Sequence, residues 1–323
     1  MYLFDFDFDG GSRLDALKAL QRYYPDYSGK RRALKALNAI NQLSIRVPAG
    51  SIPKIARITP LIPRAEATGT RAYLLHKVYQ NDRAYIFDQD REGQTVDVIK
   101  VALSAGAAAG LKREAETLRT LYGRTEFTIP EVKAYRIWED GCLIRMSAVS
   151  SDQVAHDKRR PLPEAVFDAV AILRVSNAPR SLQACQIDGW QEARRRIRTT
   201  SIERVAMDIR CEDEFEVSAA HRDLGSENVF SRPDARGVAD FTLIDWEFFS
   251  DTAPAMTDRV SQWLGCRHRD IKGWRGPDRN ALAEEFLADF HNTPGGQTAA
   301  ILALLHLAEL GIDLACYLTG EKK

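Results

Sequence analysis

An excess of charge of either sign is missing from this chain. Lys plus Arg number 45, Asp plus Glu number 45, and the formal net charge is zero. A surface made for nucleic acid or an anionic membrane carries a basic surplus, so neither partner is expected. Cysteine is sparse and scattered. Cys142, Cys185, Cys211, Cys266 and Cys316 form no Cys-x-x-Cys pair. Reduced thiols in a cytoplasmic setting are therefore expected rather than a disulfide framework or a zinc site. No apolar run approaches the roughly 18 residues of a membrane span. The acidic N-terminus lacks the basic stretch and apolar run of a secretory signal. Internal repeats and long low-complexity tracts are also missing. What remains is an ordinary globular composition, 45% apolar and 28% charged over 323 residues. That length suits one large domain or two modest ones.

The patterning divides the chain. Residues 12–45 carry Leu14, Leu17 and Leu20, then Leu34, Leu37 and Ile40, at helical spacing. Pro48, Pro53, Pro60 and Pro63 then exclude a long helix. Residues 71–79, 83–87 and 95–102 are rich in β-branched and aromatic side chains and read as strands. A helix over 109–122 follows, with Gly123 as its C-terminal stop. Two further strands lie near 132–138 and 142–149. The polar, proline-containing stretch 150–163 reads as a hinge. Helices are expected over 164–175, 189–206, 279–291 and 297–317, with strand-rich pieces between 215 and 249. The organisation is thus a helical N-terminal extension (1–50), a strand-rich lobe (51–149) and a mostly helical lobe (150–323). Ligand sites are common at such domain interfaces.

The most informative segment is His221-Arg222-Asp223-Leu224-Gly225-Ser226-Glu227-Asn228, followed seventeen residues later by Asp245 in Leu243-Ile244-Asp245-Trp246-Glu247. Asp, Asn, Gly and Ser favour turns, so Asp223 and Asn228 alone would mark a polar turn. With apolar Val229-Phe230 after the Asn and a second apolar strand ending in Asp245, they form a phosphoryl-transfer set instead. Residues 229–245 fit a β-hairpin turning over Pro233–Gly237. A hairpin brings Asn228 and Asp245 together, as an oxygen-rich magnesium site requires. Lys100 stands inside the apolar run Val98-Ile99-Lys100-Val101-Ala102, where a charge is costly unless paired or on a solvated face. In the next helix Leu111, Ala115, Leu118 and Leu121 form the apolar stripe. Glu114 falls on the edge of that stripe, and Glu116 on the far side with Lys112 as its i,i+4 partner. Glu114 is therefore the carboxylate placed to face Lys100.

In order, Val98-Ile99-Lys100, Arg113–Leu118, Ile129-Pro130-Glu131-Val132, Leu143–Val149, His221–Asn228 and Ile244–Glu247 resemble the aminoglycoside phosphotransferase/choline kinase-like family. The resemblance runs from about residue 65 to 265, and more loosely to the C-terminus. It implies an α+β, two-lobed protein-kinase-like fold. The small N-terminal lobe would hold an antiparallel sheet and one helix, and the larger lobe would be mostly helical. It implies a small-molecule kinase that uses ATP or GTP with Mg2+ and phosphorylates a hydroxyl on a small-molecule acceptor. Asp223 looks like the catalytic base, and Asn228 and Asp245 like the magnesium ligands. Lys100 looks like the phosphate-binding lysine and Glu114 its partner. His221 is similar to the histidine that supports the catalytic loop. Backbone groups of Ser147, Ala148 and Val149 would contact the base. Gly69, in Thr68-Gly69-Thr70, would mark the phosphate loop, thirty-one residues before Lys100. The chain departs from the family at Arg222, where a glycine is usual and protein kinases carry Arg, and in a longer gap from Asn228 to Asp245.

Other segments point elsewhere. A protein kinase is the nearest alternative and a nucleotide-binding pseudokinase the next. Only about a dozen residues separate Asp245 from the helix expected near Thr257, too few for an activation loop, and no Ala-Pro-Glu follows. Asp5–Gly10 resembles the nucleophile motif of haloacid dehalogenase-like phosphatases, with Asp7 attacking and Asp9 as acid/base. The preceding strand would be only Met1–Phe4, Gly11 replaces the usual Thr and no later acidic motif for the metal follows, and the alternation also fits a strand with one solvated acidic face. His268-Arg269-Asp270 repeats the start of the catalytic loop without the later Asn. Arg194–Arg198 reads as a solvated helix face. Residues 259–323 contain eight Asp/Glu and eight Lys/Arg, so the expected acceptor pocket is not the acidic one a polycation would need.

Overall fold

The computed structural model describes residues 3–5, 71–76, 83–139, 141–157, 161–173, 179–187, 190–197, 200–272, 279–293 and 295–319. The helical reading of 12–45, the Asp7/Asp9 motif and the Gly69 loop lie outside them.

The chain opens with strand β1 (Leu3–Asp5), β2 (Arg71–His76), β3 (Arg83–Gln89) and β4 (Thr95–Ala102). Helix α1 (Ala105–Leu121) and strands β5 (Val132–Trp138) and β6 (Gly141–Ser147) follow. These six strands form one antiparallel sheet in the order β1-β2-β3-β4-β6-β5. Helix α1 starts earlier than the sequence suggests, because the Ser104 side chain accepts from the Ala107 N–H and caps it. Its last N–H, on Tyr122, returns to Leu118, and Gly123 follows with φ +73°. That left-handed step is a glycine's role at a helix end.

The hinge stretch contains a short strand, β7 (Val154–Ala155), followed by α2 (Glu164–Ala171). Next come β8 (Ser181–Gln183), α3 (Trp190–Arg196), α4 (Thr200–Asp208) and β9 (Glu214–Ala220). The expected hairpin is β10 (Val229–Ser231) and β11 (Phe241–Leu243), and β12 (Ser250–Pro254) follows. Helices α5 (Thr257–Lys272), α6 (Arg279–Asp289), α7 (Gly296–Glu309) and α8 (Asp313–Thr319) end the described chain. Two expected helices are each divided. The 189–206 helix is divided, with α3 ending at Arg196 and α4 starting at Thr200. The 297–317 helix stops where Gly311 adopts φ +77°.

The architecture is the expected one: an antiparallel sheet with one helix, then a helical region. One apolar cluster joins Leu111, Ala115 and Leu118 of α1 to Ile144 and Met146 of β6, and continues into Leu224, Val229, Leu243 and Trp246. The core therefore runs through the junction between the two halves. A second cluster holds the helical end together around α7, whose residues Ala300–Ala308 are all buried. A helix apolar on every side has to be central. No described helix is long and apolar enough to cross a membrane.

Candidate active site

Lys100 lies on β4, a central strand, opposite Tyr85 of β3. It is 5% exposed. Its ammonium donates to Glu114 Oε1 at 2.6 Å, Glu114 Oε2 at 2.9 Å and Asp245 Oδ1 at 2.9 Å. A buried ammonium is stable only with such partners. Burial opposes its charge, but Asp245 and Glu114 outweigh burial and raise its pKa. Asp245 moves the other way. Burial would raise it, yet Lys100 and Arg83 bring it down to about 2. Burial pushes Glu114 up to about 7 against the pull of Lys100. Glu116 is on the solvent side, 3.9 Å from Lys112. The helical spacing thus separated the two acids correctly.

The hairpin forms in the register Val229↔Leu243, Phe230↔Thr242, Ser231↔Phe241. The Ile244 N–H donates to the Asn228 carbonyl at 3.0 Å. The pairing brings the backbones at Asn228 and Asp245 side by side. The extra residues of the turn are held locally, with the Asp240 carboxylate accepting from the N–H groups of Arg236 and Gly237. Other segments fix the hairpin in place. Thr128, just after α1, exchanges backbone bonds with Phe241 and Leu243, and β7 pairs with β10. Thr242 Oγ1 donates to Gln153 Oε1 at 2.6 Å.

The Asn228 side-chain N–H2 donates to Asp223 O at 2.8 Å and Asp223 Oδ2 at 3.1 Å. This orientation leaves the amide oxygen for a cation. Partial burial, then the charges of Asp245, Glu227 and Glu247, raise the Asp223 pKa well above its ordinary value. His221 is fully buried, with one ring nitrogen 2.9 Å from the Ile244 carbonyl and the other 3.4 Å from the Asp223 N–H. Donating through Nε2 and accepting at Nδ1 satisfies both partners, so the ring is neutral. Burial lowers its pKa to about 4. Beneath the loop, the Asp258 carboxylate accepts from the N–H groups of His221 (2.9 Å) and Arg222 (2.8 Å).

Two residues near the site adopt a left-handed backbone without being glycine: Arg222 and Asp245, both at φ 68°. Such residues are uncommon and concentrate at functional sites. The Arg222 side chain donates to the carbonyls of Phe248 and Phe249 and approaches His306 Nε2 at 3.3 Å. Trp246 is fully buried. It stacks on Phe127 at 5.9 Å and meets the His221 ring edge-on at 4.6 Å.

No family model and no curated protein sequence matches this chain. Solved structures do. The GDP complex of a mutant aminoglycoside 2′-phosphotransferase-IIIa aligns at 14% identity over 82% of this chain and 90% of its own, with a TM-score of 0.53. The fold is that of an aminoglycoside phosphotransferase. An aminoglycoside-3′-phosphotransferase of type VIII aligns at 16% identity over 79% of this chain and 97% of its own, with a TM-score of 0.47. A macrolide 2′-phosphotransferase from Brachybacterium faecium aligns at 13% identity over 77% and 92%, with a TM-score of 0.45.

Within the aminoglycoside-phosphotransferase fold, the chain gathers Lys100, Glu114 and Asp245 into direct contact, and sets Asp223 against Asn228. The linking segment is already engaged. Ser147 N–H donates to Glu131 O at 2.9 Å and Ala148 N–H to Val96 O at 3.1 Å. His268-Arg269-Asp270 is on the regular helix α5, not on a loop. In the basic run, Arg194 lies over the Trp190 ring and donates to Met207 O at 2.8 Å. Sequence reasoning assigned no role to Arg83, Gly110, Glu247 or Asp258. Arg83 gave the same signal as Lys100, a charge beside an apolar strand. Asp258 is in the first turn of α5, where an acid is ordinary.

Proposed function

We propose that this chain is an ATP- or GTP-dependent phosphotransferase that moves the γ-phosphoryl group to a hydroxyl of a small molecule. The observation that carries this is Lys100 held between the Glu114 and Asp245 carboxylates. A lysine so held is aimed at nucleotide phosphates from a rigid strand. Asp223 orients the acceptor hydroxyl and takes its proton, and its raised pKa makes it a stronger base than an exposed Asp. The proton ends on the Asp223 carboxylate as the hydroxyl oxygen bonds to the γ-phosphorus, while the bond from that phosphorus to the β–γ bridging oxygen breaks and ADP or GDP leaves.

Asn228 and Asp245 offer only oxygen, which suits a hard cation bound by few side chains together with phosphates. Bound magnesium would neutralise charge on the phosphates. Backbone groups near Ser147, Ala148 and Val149 that are left over from the Ser147 and Ala148 N–H bonds to Glu131 and Val96 would contact the base, and Gly69 would belong to the phosphate loop. In this reading residues 51–149 bind nucleotide, 150–323 carry catalysis and the acceptor, and 1–50 form an extension.

Two observations favour a small acceptor over a protein. Residues 250–254, soon after Asp245, pair with β9 instead of forming an extended loop, and α5 begins at Thr257. Arg222, the feature shared with protein kinases, is spent on the Phe248 and Phe249 carbonyls.

The test is coupled ADP release across a panel of sugars, amino alcohols and cell-envelope precursors. Asp223→Asn is expected to lower turnover about 10²–10⁴-fold while nucleotide binding persists. Unchanged turnover in Asp223→Asn counts against the assignment. Stabilisation by ATP–Mg2+ with no turnover on any acceptor favours a pseudokinase.

A further inference from the structure

Glu247 lies two residues after Asp245, and its backbone carbonyl accepts from Arg113 Nε of α1 at 3.2 Å. Both of its carboxylate oxygens are taken by the Arg83 guanidinium, Oε1 at 3.2 Å and Oε2 closer still. The pair is buried, with Arg83 5% and Glu247 8% exposed. Arg83 Nε is buried without a hydrogen-bond partner, so Glu247 is what holds this guanidinium.

The arrangement repeats the catalytic contact one step away. In the β3–β4 register Tyr85 faces Lys100 and Arg83 faces Ala102. Residues two apart on a strand share a face, so Arg83 and Lys100 point the same way. Gly110 and Glu114 are four apart on α1 and also share a face. The Lys100 contact takes carboxylates from α1 and from Asp245. The Arg83 contact takes its carboxylate from Glu247 alone, because α1 presents a glycine there. A Cβ on Gly110 would collide with Glu247 Oε2 and stand 2.8 Å from Arg83 Nη2. On the far side of the turn, Arg222 holds the carbonyls of Phe248 and Phe249. Asp245, in its left-handed conformation, thus sits on a turn clamped from both halves of the molecule.

We infer that Arg83 and Glu247, with the gap left by Gly110, form a second clamp across the two halves that positions Asp245 and α1 for phosphoryl transfer. Arg83 and Glu247 are positioning residues and touch neither nucleotide nor acceptor. This rests on the phosphotransferase reading, and the two can fail separately. The competing role for Glu247 is direct ligation of magnesium, which would require it to leave Arg83.

The test compares Arg83→Met, Glu247→Gln and the double variant in magnesium-dependent ATP hydrolysis, with water as acceptor, alongside hydrogen exchange at amides 246–249. Each single variant is expected to lose about 10- to 100-fold in kcat, the price of misplacing a reacting group by around 1 Å. The double variant is expected to lose no more than either single, because both remove the same contact. Exchange at 246–249 is expected to rise about tenfold or more in all three. If Arg83→Met does not fold, Arg83→Lys keeps the charge without the bidentate grip and gives the intermediate case. Unchanged exchange, kcat within about twofold of wild type, or multiplicative losses in the double variant overturn the clamp. A higher magnesium requirement in Glu247→Gln alone makes Glu247 a metal ligand and also overturns it. A wild type that hydrolyses no ATP and phosphorylates no acceptor refutes the phosphotransferase reading, while exchange still decides the clamp.

Discussion

Replacing Gly110 by Ala sets two physical effects against each other. Gly110 is inside helix α1 and buried. Helix propensity alone favours Ala over Gly by about 1 kcal/mol. The added methyl, however, would overlap Glu247 Oε2 and crowd Arg83 Nη2. Both are tips of flexible side chains, so the collision can be relieved. Relief separates a buried ion pair that has nowhere else to go. Overpacking and partial loss of such a pair together cost about 2–4 kcal/mol, which leaves a net destabilisation of about 1–3 kcal/mol after the propensity gain. For a chain of this size that lowers Tm by roughly 1.5–4.5 °C. Glu114 is one turn further along the same face, so a displaced α1 also loosens its grip on Lys100, with a fall in kcat of about 10- to 100-fold. The control is in the same helix. Gly106 is exposed, so Gly106→Ala gains propensity at a solvent-facing position, and its Tm is expected to hold or rise. Thermal unfolding and ATP hydrolysis of the two variants decide the matter. If Gly110→Ala matches Gly106→Ala in both, the clamp geometry is wrong.

Acid stability offers a second check, because two buried groups, His221 and the Asp258 that accepts from its backbone N–H, oppose each other. His221 is held down to about 4 by burial, against 6.5 unfolded. Its contribution is complete above pH 6.5 and falls by about 3 kcal/mol as pH drops to 4. Asp258 is pushed up to about 6 by burial, against 3.8 unfolded. Its effect has the reverse sign, growing by about 2 kcal/mol as pH falls from 6 to 4. Asp258→Asn therefore loses about 2 kcal/mol more than wild type between pH 6.5 and 4 in urea unfolding. Parallel pH profiles for the two proteins contradict this. At the centre of the junction, Trp246→Ala is expected to cost about 3–5 kcal/mol, since the ring packs on Phe127 and His221. Trp246→Phe keeps an aromatic ring but leaves the Leu243 carbonyl without its 3.0 Å donor, for about 1–2 kcal/mol. Equal losses in the two variants would show that packing does not dominate there.

Local patterns carried much of the sequence reading. Runs rich in β-branched and aromatic residues between turn-like segments marked β2, β3 and β4. The 3.6-residue repeat separated Glu114 from Glu116 on α1. Two apolar stretches around a proline- and glycine-containing turn marked the hairpin that brings Asn228 and Asp245 together. Each of these depends on residues a few positions apart, which short-range periodicity records. Helix ends were less legible. Caps such as Ser104 and the left-handed glycines at 123 and 311 decide them, and those residue types also occur where no helix stops.

What the sequence by itself determined is the set of groups with chemistry to offer and the local frame that holds each: a lysine in an apolar strand, a glutamate on a helix stripe, an aspartate and an asparagine five residues apart, and an aspartate after a hairpin. Only the tertiary structure decided which of them meet. Lys100 reaches Asp245 across 145 residues and Arg83 reaches Glu247 across 164. Contacts of such separation leave no periodic trace, because nothing local requires a charge at residue 83 to match one at residue 247. They arise when the shared core around Trp246 closes and excludes water, so that each buried charge must find its partner.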